Sequence, residues 1–312
     1  MDIKTVKQEL CGPMIPVITH LNEDLSVNVE MIKSEVDFLV DHGLVTGDGV
    51  LLAVGAGGDF NMLSLAERKT AAKAIVDAAA GRVPVIIGAQ DTNVNNMIEM
   101  AQFAEEVNAY GIQMSTPYYY PPSDADALAV YHAVHDATSK VAIMAYNTHW
   151  HDYDFPFSVL DQLCELDRIV SLKWSRPSNG AAYMKGVARY SDRLAIVDNA
   201  GLWVMTHMLG GTGFITHLAT IWPEYDIGTW HLLKAKKYEE VQARVMAANW
   251  AWQDFRGKMA GRTSGESAPV KAALDILGRN GGPSRLPSRT LDADDRNELR
   301  ELMRSIGVPG VQ

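Results

Sequence analysis

The segment Val170-Ser171-Leu172-Lys173-Trp174-Ser175 decides how the rest of the chain is interpreted. An apolar run leads into a single lysine, and sequence rich in Gly, Pro and Ser follows it. If residues 169–172 form a buried strand, Lys173 lies at its carboxyl end, where desolvation disfavours the ammonium and favours the neutral amine. A neutral lysine amine can attack a ketone and form a Schiff base. The plainer alternative is a lysine that extends from a strand end into solvent.

Short apolar runs alternate with longer amphipathic segments over most of the chain. The runs are nearly continuous in Val, Ile, Leu and Ala, which is typical of parallel strands covered on both faces. The predicted strands are Met14–Thr19, Val50–Val54, Val83–Gly88, Ile112–Thr116, Val141–Tyr146, Ile169–Lys173, Leu194–Val197 and Gly213–His217. Ser64-Leu65-Ala66-Glu67 is a capping box that begins an intervening helix, which ends near Gly81. Eight strand–helix units at roughly thirty-residue spacing predict an α/β fold, a (β/α)8 TIM barrel, rather than a doubly wound sheet.

After Pro223 the strand pattern stops and helical patterns continue. A 4-3-4-3 spacing of apolar residues predicts one long helix from Tyr238 to Met259. The residues of this seam are Val241, Val245, Ala248, Trp252 and Phe255. We therefore predict an N-terminal extension (1–11), a barrel (12–235) and a C-terminal helical appendage (236–312).

Composition excludes several classes of partner. The chain has 312 residues with 28 Lys and Arg against 38 Asp and Glu, a net charge of −10, which argues against nucleic acid and anionic membranes. Cys11 and Cys164 have no paired spacing, so neither disulfides nor a cysteine metal site is suggested. No apolar run approaches a membrane span, and residues 1–5 lack the apolar core of a signal peptide. We expect a soluble, cytoplasmic protein.

The carboxyl ends of the strands of such a barrel face one common site, so the residues there are candidates for chemistry. These ends are Gly55-Ala56-Gly57-Gly58-Asp59, Thr116-Pro117-Tyr118-Tyr119-Tyr120-Pro121, Tyr146-Asn147, Lys173, Asp198-Asn199 and Thr216-His217. Tyr146 precedes Lys173 by one predicted strand, and a positioned phenol can move the protons that imine chemistry requires. The alternative is a tyrosine that only packs inside the barrel.

In order and spacing, these motifs resemble the dihydrodipicolinate synthase/N-acetylneuraminate lyase superfamily of class I pyruvate-type aldolases. The matching pieces are Gly55–Asp59 with Phe60 and Leu63 before Glu67-Arg68, Thr116-Pro117-Tyr118-Tyr119, Tyr146-Asn147, Lys173 and Gly210-Gly211-Thr212-Gly213-Phe214-Ile215. The match extends over nearly the whole chain, the C-terminal helices included. Each motif alone is weak, but five of them in order are specific.

The resemblance implies a role for individual residues. Lys173 would form the Schiff base and Tyr146 would transfer protons beneath it, supported by Tyr119 across the tight interface of a homotetramer, a dimer of dimers. Gly57 and Gly58 would present backbone N–H groups to the carboxylate of a 2-oxo acid such as pyruvate. The other expected substrate contacts are Ala56, Asp59, His151, Trp174, Asn199, the carbonyl of Ile215, and His217. No cofactor or metal is expected, because a protonated imine is itself the electron sink.

The departures from the family pattern concern the second substrate. Ala56 and Gly57 replace residues that commonly carry hydroxyl groups, and Ala56 breaks the proton relay of the synthases or leaves it to water. His151 stands near the place of an arginine that holds a carboxylate, and Trp174-Ser175-Arg176 replaces the usual acidic or small residues after the lysine. We expect Trp150, Trp174 and His217 to make the distal pocket flatter and more aromatic. These changes argue against lysine biosynthesis.

Several alternatives stay open at the level of sequence. Asp59 could cap the following turn, Asn199 could serve its own loop, and His149 with His151 could suggest a metal without an evident third ligand. For the whole protein, we expect a Schiff-base lyase that cleaves or forms a C–C bond. The alternatives are a dehydratase of 2-oxo-3-deoxy sugar acids, a deaminase of a cyclic imino acid, and a non-catalytic barrel that binds a small acid.

Overall fold

The computed structural model describes residues 1–148, 153–175 and 179–311. Across these residues, eight parallel strands close into one barrel in chain order. They are β1 (Gly12–Pro16), β2 (Val50–Ala53), β3 (Val85–Gly88), β4 (Gly111–Met114), β5 (Ala142–Asn147), β6 (Ile169–Trp174), β7 (Ala195–Asp198) and β8 (Gly213–Ile215). All strand residues except the partly exposed Ile215 are buried, as expected for strands covered on both faces. The predicted (β/α)8 barrel is confirmed, with strand ends displaced by a few residues.

Helices follow the strands around the barrel and continue after it. They are α1 (Ile3–Glu9), α2 (Val29–Asp41), α3 (Leu65–Ala79), α4 (Val94–Glu106), α5 (Asp124–Asp136), α6 (Phe157–Leu163), α7 (Gly180–Tyr190), α8 (Trp203–Met208), α9 (Leu218–Ile221), α10 (Pro223–Lys234), α11 (Tyr238–Arg244), α12 (Trp250–Thr263), α13 (Ala268–Ile276) and α14 (Ala293–Ser305). The predicted capping box is present, because Ser64 and Glu67 each bind the other's backbone N–H at the start of α3.

The predicted long C-terminal helix is present as two α-helices joined without a break. A π-helical turn, Val245–Asn249, connects α11 to α12. The whole apolar seam is buried, and its residues Ala248, Trp252 and Phe255 share a core with residues of α13 and α14. The C-terminal helical appendage is thereby confirmed. The 4-3 spacing did not reveal the π-helical turn, because the apolar residues before, within and after the turn are all buried.

The chain packs as two compact units. The first comprises Met1–Met14, Val45–Leu51 and Gly81–Ile215, and the second comprises Ile15–Leu44, Leu52–Ala80 and Thr216–Gln312. In the first, β4 to β7 pair in parallel, and the register of β5 with β6 shifts once, between Ile143 and Met144. In the second, the C-terminal helices enclose a core that includes Trp252, Phe255 and Leu299. The sequence-based division at residues 11 and 235 stays a prediction.

Two further expectations concern cysteines and membranes. Cys11 and Cys164 are both buried and unbridged. Among the helices of the described ranges, none combines the length and the apolar character that crossing a bilayer requires.

Candidate active site

Lys173 and Tyr146 lie side by side at the carboxyl ends of β6 and β5. The two residues are register partners in the parallel pair, so their side chains leave the sheet on the same face. Lys173 is 5% exposed and Tyr146 is 8% exposed. The Nζ atom of Lys173 lies 4.4 Å from the centroid of the Tyr146 ring. A buried amine thus sits directly over a phenol, the two groups that imine formation and proton transfer require.

Asn147, one residue further along β5, fixes the strand ends that carry this pair. Its Nδ2 atom donates to the Oδ1 atom of Asp154 at 2.7 Å and to the carbonyl of Ser175 at 3.1 Å. Its Oδ1 atom accepts from the N–H of Phe155 at 3.1 Å. The Ser175 N–H in turn donates to the Asn147 carbonyl at 2.9 Å. Asn147 belongs to a sequence motif, but no role was assigned to it from the sequence. The feature that could have pointed to one is its amide side chain at the end of an otherwise apolar strand.

Trp174 faces away from the lysine. Its ring is fully buried and lies against Tyr183 on α7, with ring centroids 5.5 Å apart. A Cβ atom at Gly186 would come within 1.8 Å of the indole, so the ring fills the groove that this glycine leaves. The expectation that Trp174 lines the distal pocket is therefore wrong. Successive side chains of a strand point to opposite faces, so the residue after Lys173 must enter the helix layer.

The remaining candidates of the first unit lie in loops or at a strand end. Tyr119 is 86% exposed, adopts a positive φ of 94°, and packs edge-on against Tyr120, which is also exposed. Asn199 is partly exposed, and its N–H donates to the Trp174 carbonyl at 3.0 Å. Burial raises the pKa of the neighbouring Asp198, whose carboxylate accepts three N–H groups of this loop. Ile215 ends β8 and is partly exposed.

In the second unit, residues 56–58 form a 3₁₀ turn directly after β2. The N–H of Gly58 donates to the Gly55 carbonyl at 3.0 Å, so it is already engaged within the turn. A Cβ atom at Gly58 would lie 2.8 Å from the carbonyl of Val17, which excludes a side chain there. Gly57 is buried and Ala56 is partly buried. Of the two glycine N–H groups expected to bind the carboxylate, that of Gly58 is therefore already used within the turn.

His217 lies beside this turn. A Cβ atom built on Gly57 would be 2.9 Å from the Nε2 atom of His217 and 2.9 Å from the Cβ atom of Pro16. His217 is 8% exposed. Its Nε2 atom is 3.6 Å from a carboxylate oxygen of Glu266, whose other oxygen is 3.4 Å from Nη1 of Arg256. Glu266 and Arg256 were not predicted, because nothing in their local sequence points to the end of a barrel strand.

Asp59 is held by the C-terminal helices. Its carboxylate accepts a 2.6 Å hydrogen bond from Ser267 and lies 3.5 Å from the Nζ atom of Lys271. It makes no capping hydrogen bond to the turn that follows, which answers the alternative that the sequence left open. Burial raises the pKa of Asp59 and lowers the pKa of Lys271, because desolvation outweighs the attraction within the pair. A substrate contact through Asp59 stays a prediction.

His151, Trp150 and Arg176 lie outside the described residues, as does His149. The expected roles of these four residues therefore stay predictions. Within the described residues, no three His, Cys, Asp or Glu side chains are grouped closely enough to hold a metal ion.

Comparisons with known proteins identify the family of this chain. Residues 9–306 match the model of the dihydrodipicolinate synthetase family. A 4-hydroxy-tetrahydrodipicolinate synthase of Clostridium perfringens is 28% identical over 302 residues, covering 95% of this chain and 98% of the relative. An uncharacterised DapA-like lyase of Halobacterium salinarum is 26% identical over 300 residues, covering 96% of this chain and 95% of the relative.

A solved structure supports the fold. A prophage protein of the dihydrodipicolinic acid synthase family from Escherichia coli K12, in complex with pyruvate, superimposes with a TM-score of 0.83. It is 22% identical, and the match covers 96% of this chain and 99% of that one. With the family model spanning nearly the whole sequence and the relatives named as lyases and synthases, this chain belongs to the dihydrodipicolinate synthetase family, a family of lyases.

Proposed function

We propose that this protein is a Schiff-base lyase that makes or breaks a C–C bond of a pyruvate-type 2-oxo acid. The observation that carries the proposal is the buried Lys173 amine, 4.4 Å above the ring of Tyr146. The amine attacks the C2 carbonyl, and loss of water from the carbinolamine leaves a protonated imine. When the bond beyond C3 breaks, its electron pair flows into the imine and forms an enamine. Protonation at C3 and hydrolysis then release the 2-oxo acid and free the lysine.

Tyr146 is the proposed proton carrier for this sequence. A phenol beside the amine can protonate the departing carbinolamine oxygen and later take a proton from the attacking water. The Asn147 bonds hold its strand end against the Ser175 segment that follows Lys173, which limits the drift of the amine relative to the phenol. We place Tyr119 as a supporting residue contributed by a neighbouring subunit, on the basis of the resemblance and its 86% exposure.

Borohydride trapping tests the proposal. Incubation with pyruvate and sodium borohydride reduces the imine to a stable amine, and peptide mass spectrometry locates the adduct. We expect it on the peptide that contains Lys173, and expect none in Lys173→Ala. Lys185→Ala is the matched control, because Lys185 is exposed on α7, beside the same strand. Absence of an adduct from wild-type protein with several 2-oxo acids contradicts the proposal and favours a non-catalytic, acid-binding barrel.

Borohydride trapping cannot separate an aldolase from a dehydratase, since both reactions share the imine. Analysis of the products separates them, because an aldolase releases two carbon fragments and a dehydratase releases water.

We propose that aspartate semialdehyde is a poor acceptor, because Ala56 supplies no hydroxyl for a relay and His151 cannot match the bidentate clamp of an arginine. The measurement is kcat/KM for the semialdehyde against a panel of 2-oxo-3-deoxy sugar acids and aryl-substituted 2-oxo acids. A semialdehyde that outperforms the panel would contradict this part of the proposal.

A further inference from the structure

Tyr146 and Asn147 are consecutive residues whose side chains leave the end of β5 on opposite faces. Tyr146 is the register partner of Lys173, and Asn147 is the register partner of Trp174, whose ring lies in the helix layer. A strand end can turn about its own axis, and such a turn moves both side chains together. A group that holds the Asn147 side chain on the outer face therefore also sets the direction of the Tyr146 phenol on the inner face.

Asp154 holds the Asn147 side chain in this way. Its Oδ1 atom accepts a 2.7 Å hydrogen bond from the Nδ2 atom of Asn147, at the short end of the range for N–H···O bonds. The second Nδ2 hydrogen is donated to the Ser175 carbonyl, and the Oδ1 atom of Asn147 accepts from the N–H of Phe155. Each polar end of this buried amide thus faces a partner of the opposite kind, which fixes its orientation.

The segment that carries Asp154 is itself anchored to α5. The hydroxyl of Tyr153 donates at 2.9 Å to the carboxylate of Asp124, the first residue of that helix. The ring of Phe155 is buried and packs edge-on against Tyr131, with ring centroids 5.8 Å apart. With both neighbours held by the helix, the Asp154 carboxylate resists a displacement of the strand end.

We propose that Asp154 is a positioning residue for the lysine–tyrosine pair, acting through Asn147. This inference rests on the proposed function, in which the phenol of Tyr146 moves protons for the Lys173 imine. Ser175, two residues after Lys173, donates its N–H to the backbone carbonyl of Asn147 and accepts from the side chain of the same residue. Removing the Asp154 carboxylate leaves one Nδ2 hydrogen without its acceptor, so the amide can turn and the two strand ends can shift against each other.

The first test measures the exchange of solvent deuterium into the methyl group of pyruvate, which needs no second substrate. The C3 proton of the imine leaves to give an enamine, and a deuteron from the solvent is then added to C3. Asp154→Ala should lower the kcat of exchange roughly 10- to 100-fold, the scale for a displacement of about 1 Å between reacting groups, with little change in KM. Asp154→Asn, whose carboxamide oxygen can still accept from Asn147, should keep most of the activity. Asp192→Ala, at an exposed position before β7, is the control and should match wild type.

The second test exchanges the two side chains. Asn147→Asp replaces the Nδ2 donor with an oxygen and sets two carboxylates against each other, so kcat should fall at least as far as in Asp154→Ala. Combining Asn147→Asp with Asp154→Asn restores a donor and an acceptor between the two positions and should recover part of the loss. A double variant that is no more active than Asn147→Asp would overturn the inference.

A third comparison separates positioning from a purely structural role. If Asp154 acts through the direction of the phenol, Asp154→Ala should have a much smaller effect in a Tyr146→Phe background, where no hydroxyl remains to be directed. An equal fractional loss of kcat in both backgrounds would contradict the inference, because the effect is then unrelated to the phenol. Circular dichroism checks the fold of each variant, and the exchanged pair carries the test if Asp154→Ala does not fold.

The outcomes distinguish this inference from the proposed function. A wild-type protein that forms no borohydride adduct with any 2-oxo acid defeats the proposed function. A wild-type protein that forms the adduct on Lys173 and exchanges the methyl protons, together with a folded Asp154→Ala variant whose kcat is unchanged, defeats the role of Asp154 alone.

Discussion

At the scale of single residues, the environment of a side chain decides what chemistry is open to it. Lys173 and Tyr146 are both more than nine-tenths buried and face each other across one strand pair. Lys185 has the same side chain on the neighbouring helix but is exposed. An exposed amine remains a hydrated ammonium, whereas a buried amine over a phenol has a partner for proton exchange.

Tyr146→Phe should fold normally and lose most of its turnover. The substitution removes only the hydroxyl, so packing around the ring is kept while the proposed proton carrier is lost. We expect kcat to fall by roughly 10²- to 10⁴-fold, the usual scale for a general acid–base group. Steady-state kinetics measure the loss, and borohydride trapping over hours should still label Lys173. An unchanged kcat would assign proton transfer to another group.

At the scale of elements, glycines determine how closely a helix can approach the barrel. Gly186 lets α7 close over the indole of Trp174, which would otherwise meet a Cβ atom at 1.8 Å. Gly257 sits in the middle of α12 with nothing within 4 Å of its ideal Cβ position. Glycine therefore has a different role in each helix. Packing requires Gly186, whereas Gly257 only lowers helix propensity.

Gly186→Ala should destabilise the protein although alanine is the better helix former. Overpacking against the buried Trp174 should cost about 1–3 kcal/mol of unfolding free energy or more. Gly257→Ala is the matched control and should be neutral or stabilising by up to about 1 kcal/mol. Urea unfolding of both variants gives the comparison. Equal stabilities would mean that α7 can shift outward without loss of contacts.

At the scale of the whole molecule, buried ionisable groups make stability depend on pH. Burial, with Lys271 and Arg279 nearby, lowers the pKa of His20 to about 4. Burial raises the pKa of Asp226 to about 6. As the pH falls from 6.5 to 4, the unfolded state takes up a proton at His20 that the folded state refuses, so stability is lost. Asp226 has the opposite effect on stability. As the pH falls from about 6 towards 3.8, the folded state binds a proton at Asp226 before the unfolded state does, so stability is gained.

His20→Gln should therefore be less sensitive to acid than wild type. The lowering of the pKa of His20 from 6.5 to about 4 corresponds to about 3 kcal/mol of unfolding free energy. Wild type loses this amount as the pH falls from 6.5 to about 4. Urea unfolding of both proteins at pH 7 and near pH 4 gives the change in unfolding free energy for each, and groups common to both cancel in the difference. Identical losses would show that His20 is protonated in the folded protein.

Assembly is also a property of the whole molecule. Tyr119 and Tyr120 are 86% and 78% exposed, a large aromatic surface for a single chain. We expect a homotetramer, a dimer of dimers, in which this surface is covered by another subunit. Sedimentation velocity at micromolar concentration measures the state. A monomer would contradict the expectation and remove the reason to assign Tyr119 to a neighbour's site.

Local sequence patterns were enough to predict the eight strands and the buried face of several helices. The apolar run before Lys173, the capping box at Ser64 and the 4-3 seam after Tyr238 are local patterns, because burial imposes a period on consecutive residues. The alternation within β6 would also have placed Trp174 in the helix layer. The contacts between distant residues became visible only in the folded chain: Ser267 binds Asp59 across 208 residues, and Glu266 approaches His217. Such pairs leave no periodic trace in the sequence, because they depend on where the C-terminal helices return to the barrel.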